Sequence, residues 1–258
     1  MKLENKRILI TGGGSGIGLE LARRLGEAND VVIAGRTTSK LHAARAGNPR
    51  LRPVQLDVTS EDSARELIES IESDLGGLDL LVNNAGVMRG GELTAADTAT
   101  TTTEELEVNL GGAIRMTRLA LPLLKAAPQA GIVFISSAVA VTAVPHLSVY
   151  AATKAGVHSF ARSLRAELAD TSIRVFEALP PVVDTEMTRD LDVGKVPPSA
   201  VAKAVIAGIT RGKEQIPIAR VRLLVVMARI APGIADGIVQ RALRPSRGAS
   251  ALEHVVPR

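Results

Sequence analysis

Short apolar runs alternate along the chain with longer stretches in which apolar residues recur at helical spacing. The runs predict seven strands, at 7–11, 31–34, 51–56, 78–82, 131–136, 173–179 and 215–219. They are continuously apolar more than alternating, which is typical of parallel strands covered by helices on both faces. The β–α alternation favours right-handed crossovers, so we predict an α/β fold with a doubly wound parallel sheet.

Four stretches of helical spacing lie between the strands, at 16–28, 60–76, 102–127 and 148–170. Ser60, with Ser63 and acidic neighbours, predicts the N-terminal cap of the second of these helices. No linker is evident before about residue 192. We therefore expect a core over 1–192 and a C-terminal helical segment over 193–258 of the same domain, which contributes to substrate binding or oligomer contacts.

The C-terminal segment has its own pattern. A helix is predicted from Pro198 to Gly212, followed after the last strand by a strongly apolar stretch over 221–243. Two arginines and Pro232 interrupt that stretch, so it falls short of a transmembrane span. A helix pair for substrate enclosure or subunit contact is favoured, with an interfacial membrane helix as the alternative. The tail over 244–258 is expected to be mobile.

The composition excludes several kinds of chemistry. The 258 residues include no cysteine, so disulfides, thiolate catalysis, Cys-ligated zinc and iron–sulfur clusters are ruled out. No His/Asp/Glu cluster has convincing ligand spacing, and no catalytic metal is expected. The first residues, "MKLENKRILITGGG", hold no apolar signal core. A cytoplasmic protein fits these observations.

Positive charge is concentrated near the end of the chain. From residue 203 to 258 there are ten Lys and Arg but three acidic residues, whereas the net charge of the whole chain is +4. Such a segment could meet an anionic membrane surface, although a solvated helix face is the favoured interpretation. No basic cluster is interleaved with aromatic residues, so we expect no nucleic-acid partner.

A glycine-rich segment, "TGGGSGIG", runs from Thr11 to Gly18 between the first strand and the first helix. Glycines let the backbone turn sharply and let a pyrophosphate approach closely. The amide groups and positive dipole end of the following helix then point at the phosphates. The strand–loop–helix context favours phosphate binding over a simple structural turn.

The end of the second strand bears on the choice of dinucleotide. An acidic residue there would bind a ribose 2′-hydroxyl, but the sequence has Gly35 at that place, followed by Arg36 and Lys40. A guanidinium can hold a 2′-phosphate through two hydrogen bonds. NADP(H) is therefore favoured, and NAD(H) remains the alternative. Asp57 and Val58, after the third strand, could accept a hydrogen bond from adenine and bracket its ring.

The motif "TGGGSGIG", "NNAG" at 83–86, Asn109, Ser137 and "YAATK" at 150–154 occur in this order. Over about residues 5–190 the chain thus resembles the short-chain dehydrogenase/reductase family. The resemblance implies a single Rossmann-type domain with a seven-stranded parallel sheet. It also implies hydride transfer between a nicotinamide cofactor and an alcohol or carbonyl, in homodimers or homotetramers built largely from the helices that contain Asn109 and Tyr150.

Tyr150 is the only tyrosine of the chain, and Lys154 follows it by four residues, on the same face of a helix. A free phenol has a pKa near 10, and positive charge from Lys154 and oxidised nicotinamide should lower it. By the resemblance, Tyr150 is the general acid and base, and Lys154 lowers its pKa and binds the nicotinamide ribose. Ser137, preferred to Ser136, binds the substrate oxygen, and Asn109 serves a proton relay.

The residues and the resemblance together predict a set of dinucleotide contacts on six segments. These contacts are Thr11, Gly12, Ser15, Gly16, Ile17, Gly18, Arg36, Asp57, Val58, Asn84, Ala85, Gly86, Tyr150, Lys154, Pro180, Val183 and Thr185. Pro181 stands where the family commonly has glycine, which predicts a stiffer loop over the nicotinamide. His146 is expected to be a surface group rather than a substrate contact.

The leading hypothesis is an NADP(H)-dependent carbonyl reductase or alcohol dehydrogenase. Five apolar residues near the expected substrate mouth indicate a small apolar carbonyl or alcohol, namely Val139, Val141, Val144, Leu147 and Met187. A transient-redox epimerase or dehydratase on the same cofactor is one alternative. Others are a non-catalytic nucleotide-binding redox sensor and a membrane-surface or scaffolding protein that uses residues 220–244.

Overall fold

A computed structural model describes residues 1–91, 93–94 and 98–243, and its centre is one parallel sheet. The strands are β1 (Arg7–Thr11), β2 (Asp30–Gly35), β3 (Leu51–Gln55), β4 (Leu80–Asn83), β5 (Ala130–Ile135), β6 (Ile173–Leu179) and β7 (Gln215–Pro217). Their order is β3-β2-β1-β4-β5-β6-β7, and every neighbouring pair is parallel. The predicted doubly wound sheet of seven strands is confirmed.

Helices cover both faces of this sheet. They are α1 (Gly16–Leu25), α2 (Thr38–Gly47), α3 (Glu61–Leu75), α4 (Thr98–Glu105), α5 (Gly112–Ala126), α6 (Ser148–Glu167), α7 (Pro198–Thr210), α8 (Val221–Ile230) and α9 (Pro232–Ala242). Buried residues of α3, α5 and α6 form one apolar layer, and those of α1, α2 and α7 form the other. The central strands therefore lie between two layers of helices.

The two layers explain why the strands read as continuous apolar runs. Leu9 packs into the layer of α3, α5 and α6, while Ile8 and Ile10 pack into the opposite layer. Successive side chains of a strand point to opposite faces, so a strand covered on both sides needs apolar residues at every position. All six residues of β5 are buried accordingly.

Several helix predictions need correction. The stretch 102–127, predicted as one helix, is divided into α4, a π-helical segment (Leu106–Gly111) and α5. Helix α2 was not predicted, because it buries only Leu41 and Ala44 and so has little apolar periodicity. The cap prediction is confirmed, since the Ser60 hydroxyl accepts a hydrogen bond from the Ser63 N–H at 3.2 Å. Strand ends differ from the predicted ends by no more than two residues.

The C-terminal helix pair lies against the loop that follows β5. Helix α8 packs on the short 3₁₀ helix Ala138–Val141, and Leu179, Val221 and Val225 form a small buried cluster there. The carboxylate of Asp236 on α9 accepts a hydrogen bond from the Ala143 N–H at 2.8 Å. The predicted helix pair is thus confirmed. The predicted tail at 244–258 lies outside the described residues, and the division at residue 192 stays a prediction.

Helices long and apolar enough to cross a membrane are not found in the part of the chain that the structure describes.

Candidate active site

The strand order reverses direction between β1 and β4, and a crevice opens there at the carboxyl ends of the strands. From β1 the chain continues through α1 to β2 on one side, whereas β4 leads to β5 on the other. Ligands of doubly wound folds bind at such a switch point. Both the glycine-rich segment after β1 and the "NNAG" segment that ends β4 lie at this edge.

Backbone geometry in the glycine-rich segment requires glycine. Gly12 and Gly16 have φ angles of +66° and +53°, in the left-handed region that disfavours side chains. A Cβ on Gly18 would lie 2.4 Å from the carbonyl oxygen of Gly12. Helix α1 begins at Gly16, and the hydroxyl of its cap residue Ser15 makes no capping hydrogen bond. The loop and the first turn of α1 therefore form a glycine-rich cradle that suits a pyrophosphate.

Asn84 holds this cradle in place. Its Nδ2 donates hydrogen bonds to the carbonyl oxygens of Thr11 and Gly12, at 2.9 and 3.1 Å. The buried Thr11 hydroxyl accepts hydrogen bonds from the N–H groups of Asn84 and Ala85, at 3.0 and 3.1 Å. The ends of β1 and β4 are thus tied together.

The far end of the crevice carries the residues expected to read the adenosine. Arg36 directly follows β2 and is exposed, with its Nη2 3.5 Å from Glu104 Oε1. Glu104 also accepts two hydrogen bonds of 2.7 Å from Arg89. The hydrogen bond from Arg89 lowers the pKa of Glu104. A fixed carboxylate thus holds the Arg36 guanidinium beside the strand end.

Asp57 and Val58 lie at the adjacent strand end, after β3. Asp57 Oδ1 accepts hydrogen bonds from the N–H and the hydroxyl of Thr59, and these bonds lower the pKa of Asp57. Val58 is buried, and its carbonyl oxygen accepts a hydrogen bond from Arg115 at 2.6 Å. One Asp57 oxygen is therefore engaged locally, and Val58 presents an apolar surface.

Tyr150, Lys154 and Ser137 meet at the middle of the crevice. Lys154 Nζ lies 5.7 Å from the centroid of the Tyr150 ring, one turn along α6. The same ammonium group donates a hydrogen bond of 3.0 Å to the carbonyl oxygen of Ile135, the last residue of β5. Ser137 lies close enough to Tyr150 to lower the pKa of the phenol, and its hydroxyl accepts a hydrogen bond of 3.3 Å from the Val139 N–H. The structure thus brings the three predicted catalytic side chains together.

Burial acts on both titratable groups of this set. It lowers the pKa of Lys154, which is 5% exposed, to about 8. It also raises the pKa of Tyr150 to about 12, with a further rise from the negative charge of Glu105 and a smaller opposing effect of the nearby Ser137. In the chain itself the phenol pKa is thus raised and not lowered, because desolvation disfavours the phenolate, and the lowering expected from Lys154 with oxidised nicotinamide stays a prediction.

Asn109 lies in the π-helical segment and is buried. Its Oδ1 accepts a hydrogen bond from the Val87 N–H at 2.7 Å, and its Nδ2 donates to the Val87 carbonyl and the Thr153 hydroxyl at 2.9 and 3.1 Å. A Cβ on Gly86 would come within 3.2 Å of Asn109 Oδ1 and 3.6 Å of Lys154 Nζ. The side chain braces the "NNAG" segment against α6, and the relay role stays a prediction.

Ser136, the rival to Ser137, is turned inward. It is buried, and its hydroxyl donates a hydrogen bond of 3.3 Å to the Lys154 carbonyl oxygen. His146 is exposed, as predicted, with a positive φ of 61°, and its carbonyl oxygen accepts a hydrogen bond from the Gly91 N–H. Neither residue belongs to the polar group at the middle of the crevice.

The chain after β6 forms the remaining wall of the crevice. Pro180 is buried, and its carbonyl oxygen accepts a hydrogen bond of 2.9 Å from the Ala138 N–H. Val183 forms an isolated parallel bridge with Val196. Thr185 caps a short 3₁₀ helix, Glu186–Thr188, and its methyl carbon lies 3.1 Å from where a Cβ on Gly16 would stand. Of the predicted residues of this segment, Thr185 thus contacts the glycine-rich loop.

Two features of the site were not predicted from the sequence. Glu105 is only 2% exposed, and its Oε1 accepts a hydrogen bond of 2.6 Å from the Arg89 N–H, while burial raises its pKa. Its position four residues before Asn109, on the buried side of the helix, was the available signal. Lys40 and Glu186 form an ion pair of 2.6 Å between residues 146 positions apart, which no local pattern indicates.

Within the described ranges, no group of three or more His, Cys, Asp or Glu side chains is placed to hold a metal ion.

Comparison with known proteins identifies the class of protein that this fold and site define. The family model of the short chain dehydrogenase matches residues 6–195. The uncharacterized oxidoreductase DltE of Bacillus subtilis (strain 168) is 36% identical over 234 residues, which cover 86% of this chain and 91% of that protein. The uncharacterized oxidoreductase SAR2567 of Staphylococcus aureus (strain MRSA252) is 32% identical over 217 residues, covering 82% and 94%.

Solved structures are similar over nearly the whole chain. A short chain dehydrogenase from Burkholderia cenocepacia J2315, solved in complex with NADP, has a TM-score of 0.83 at 27% identity and covers 95% of this chain and 100% of that one. A short chain dehydrogenase/reductase from Burkholderia phymatum, solved with NAD, shares the fold with a TM-score of 0.81 at 20% identity, covering 95% and 99%. The chain belongs to the short-chain dehydrogenase/reductase family, whose members are oxidoreductases that act on CH–OH or C=O groups.

Proposed function

We propose that this protein interconverts a carbonyl and an alcohol with NADP(H), using Ser137, Tyr150 and Lys154 as its acid–base set. The observation that carries the proposal is the position of the buried Lys154 ammonium, 5.7 Å from the centroid of the Tyr150 ring, with Ser137 close enough to the phenol to lower its pKa. These groups lie at the crevice that doubly wound folds use for dinucleotides. A sensor that only binds nucleotide would not need this acid–base set.

The residues of the crevice fit a dinucleotide. The glycine cradle would hold the pyrophosphate. Its backbone packs so closely that only glycine fits at position 12, since a Cβ there would lie 2.9 Å from Asn84 and 3.0 Å from Ala85. Lys154 would bind the nicotinamide ribose, and Val183 and Thr185 would hold the carboxamide. A bound nicotinamide supplies or accepts the hydride. We favour NADP(H) because the position at the end of β2 is Gly35 instead of an acidic residue and Arg36 follows it. The B. cenocepacia relative was also solved with NADP.

The chain's own residues would control the proton. In reduction the Tyr150 hydroxyl donates its proton to the substrate oxygen, while the Ser137 hydroxyl donates a hydrogen bond to the same oxygen. The Lys154 ammonium, held by the Ile135 carbonyl, stabilises the phenolate that forms. In oxidation the phenolate takes the proton back. The neutral phenol is the correct form for the acid role, and burial favours that form.

Fewer apolar residues are free to contact a small apolar substrate at the mouth of the site than the sequence suggests. Val139 and Val144 are buried in the packing of the loop, whereas Met187 is 41% exposed. Val141 packs against the small cluster that includes Val221. We therefore expect Met187 and the outer part of this loop to meet the substrate. Assembly into homodimers or homotetramers stays part of the proposal.

A screen of carbonyls and alcohols with NADPH, NADH and their oxidised forms tests the reaction. Tyr150→Phe should lower kcat by at least about 100-fold while leaving dinucleotide affinity within about threefold of the wild type. Unchanged turnover in Tyr150→Phe with any active substrate would overturn the assigned acid.

Gly35→Asp tests the cofactor preference. A side chain is tolerated there, because the atom nearest to an added Cβ is Leu41 Cδ2 at 3.9 Å. The new carboxylate should weaken NADP⁺ binding at least about tenfold and favour NAD⁺. Gly47→Asp, on α2 with open space around it, is the matched control for added charge. Equal effects of the two substitutions would contradict the 2′-phosphate role of Arg36.

A further inference from the structure

The outward face of the C-terminal helix pair is apolar. Five large aliphatic side chains on it are exposed, among them Ile230 at 77%, Leu223 at 66% and Ile234 at 63%. The other two are Val226 and Ile238. Leu223, Val226 and Ile230 recur at the i, i+3 and i+7 positions of α8, opposite the buried residues Val221 and Val225. Helix α8 thus buries one apolar face and presents a second one to solvent.

Arginines flank this apolar face. At 100° per residue, Arg222 and Arg229 lie on one side of α8, between its buried face and its exposed aliphatic stripe. Both are exposed, and neither forms an ion pair with any residue that the structure describes. Arg220 and Arg241 add two further exposed cations at the ends of the pair.

Acidic residues do not balance these cations. Between residues 219 and 243, all of which are described, the single acidic residue is Asp236. Its carboxylate is half-buried and accepts a hydrogen bond from the Ala143 N–H. The surface offered to a partner therefore combines exposed aliphatic groups with net positive charge. This combination is typical of helices that lie in the interface of an anionic bilayer.

We propose that the outward face of α8 and α9 docks on the surface of an anionic membrane. The aliphatic stripe would enter the headgroup boundary, and the flanking arginines would contact lipid phosphates. A second copy of the chain fits less well, since a symmetric contact would bring Arg222 and Arg229 close to their own counterparts with no nearby carboxylate to pair with.

Docking there would place the active-site entrance next to the bilayer. Helix α8 packs on the 3₁₀ helix directly after Ser137, and Asp236 and Gln240 of α9 bond the backbone of Ala143 in the same loop. A lipophilic substrate could then enter the crevice without crossing bulk water. The docking itself does not depend on the proposed reaction, so the two can fail separately.

Co-sedimentation of the full chain with vesicles tests the proposal. Vesicles of phosphatidylcholine with phosphatidylglycerol should bind the protein, and added salt should weaken the binding. Pure phosphatidylcholine should bind it at least about tenfold less well. The double variant Arg222→Gln/Arg229→Gln should lose roughly 25-fold, about fivefold for each arginine. The double variant Ile230→Ser/Ile234→Ser should lose binding to both kinds of vesicle.

Matched controls separate this face from the rest of the surface. Arg45→Gln removes an exposed cation from α2, and Leu93→Ser removes an exposed aliphatic side chain elsewhere. Both should bind vesicles like the wild type. Equal losses in the controls, or wild-type binding by both double variants, would overturn the proposal. So would a change from oligomer to monomer in Ile230→Ser/Ile234→Ser, measured by analytical ultracentrifugation, because the face would then be a subunit interface.

Discussion

The buried carboxylate of Glu105 raises the pKa of the Tyr150 phenol. Glu105 belongs to α4, and Tyr150 belongs to α6, yet the two helices pack together at the crevice. The carboxylate is kept in place by the N–H of Arg89. A negative charge thus lies near a group that must become negative when it gives up its proton.

Glu105→Gln should lower the pKa of Tyr150 below its value of about 12. The amide keeps an oxygen for the Arg89 N–H but removes the charge that disfavours the phenolate. Near-ultraviolet absorbance reports this titration directly, because the chain holds one tyrosine and no tryptophan. Glu104→Gln, one residue earlier and paired with Arg89, is the control. Identical phenol titrations in both variants would show that Glu105 has no electrostatic effect on the site.

Lys154→Met should abolish turnover and stabilise the fold at neutral pH. Burial lowers the pKa of Lys154 from its ordinary 10.5 to about 8. Between these values the unfolded chain binds more protons than the folded one, so wild-type stability should rise as the pH increases from about 8 to about 10.5. Below pH 8 the buried ammonium costs on the order of 3 kcal/mol, partly offset by its bond to Ile135.

Urea unfolding at pH 7 and pH 10 measures this effect. The wild type should gain stability over that interval, and Lys154→Met should lack that gain. Lys203→Met, at an exposed position of α7, serves as the control for loss of a lysine. A pH dependence in Lys154→Met equal to that of the wild type would contradict the assignment.

Glu186→Gln should change the rates of dinucleotide exchange with little effect on stability. Lys40 and Glu186 are about half exposed, and ion pairs of this kind contribute no more than about 1 kcal/mol. However, the Lys40 Cβ lies 3.2 Å from where a Cβ on Gly14 would stand, so the pair lies beside the glycine-rich loop. Its loss should accelerate both association and dissociation of NADPH in stopped-flow fluorescence. High salt should remove the difference from the wild type. Glu27→Gln, an exposed carboxylate elsewhere, should leave the rates unchanged.

Gly12→Ala should lower stability and weaken dinucleotide binding together. The substitution forces a Cβ onto a residue at φ +66° and against Asn84 Nδ2 at 2.9 Å. A non-glycine residue in that region costs about 1–2 kcal/mol before the clash is counted. Gly47→Ala, in a helix with open space around it, should instead stabilise by up to about 1 kcal/mol. Thermal unfolding and NADP⁺ titration of the two variants give the comparison, and equal behaviour would show that the cradle tolerates a side chain.

Local patterns were sufficient to predict the sheet and the position of the site. Strands buried on both faces need continuous apolar runs, so the number of strands and the positions of their ends could be predicted to within two residues. The glycine-rich segment and the Tyr150–Lys154 spacing depend on contiguous residues, and both occupy the crevice. Helix α2 was not predicted because two buried side chains give no clear period.

Tertiary contacts decided the features that the sequence did not reveal. The pKa of Tyr150 depends on burial and on Glu105, and neither can be judged from a helical spacing of four residues. The ion pair of Lys40 with Glu186 joins α2 to the 3₁₀ helix Glu186–Thr188, and these two segments meet only in the folded chain. The sequence favoured substrate enclosure or subunit contact for residues 221–243. It could not show which of the apolar residues of α8 are buried and which form the exposed aliphatic stripe, because that depends on how the helix packs.

The bridge between Val183 and Val196 has a consequence for how the crevice would receive its ligand. The N–H of Asp184 donates to the Val196 carbonyl, and the N–H of Val196 donates to the Val182 carbonyl. These two backbone segments are therefore already hydrogen-bonded to each other. Such a wall has little conformational entropy left to lose. Calorimetry should accordingly record an association with the heat-capacity signature of surface dehydration alone, without the larger change that accompanies coupled folding.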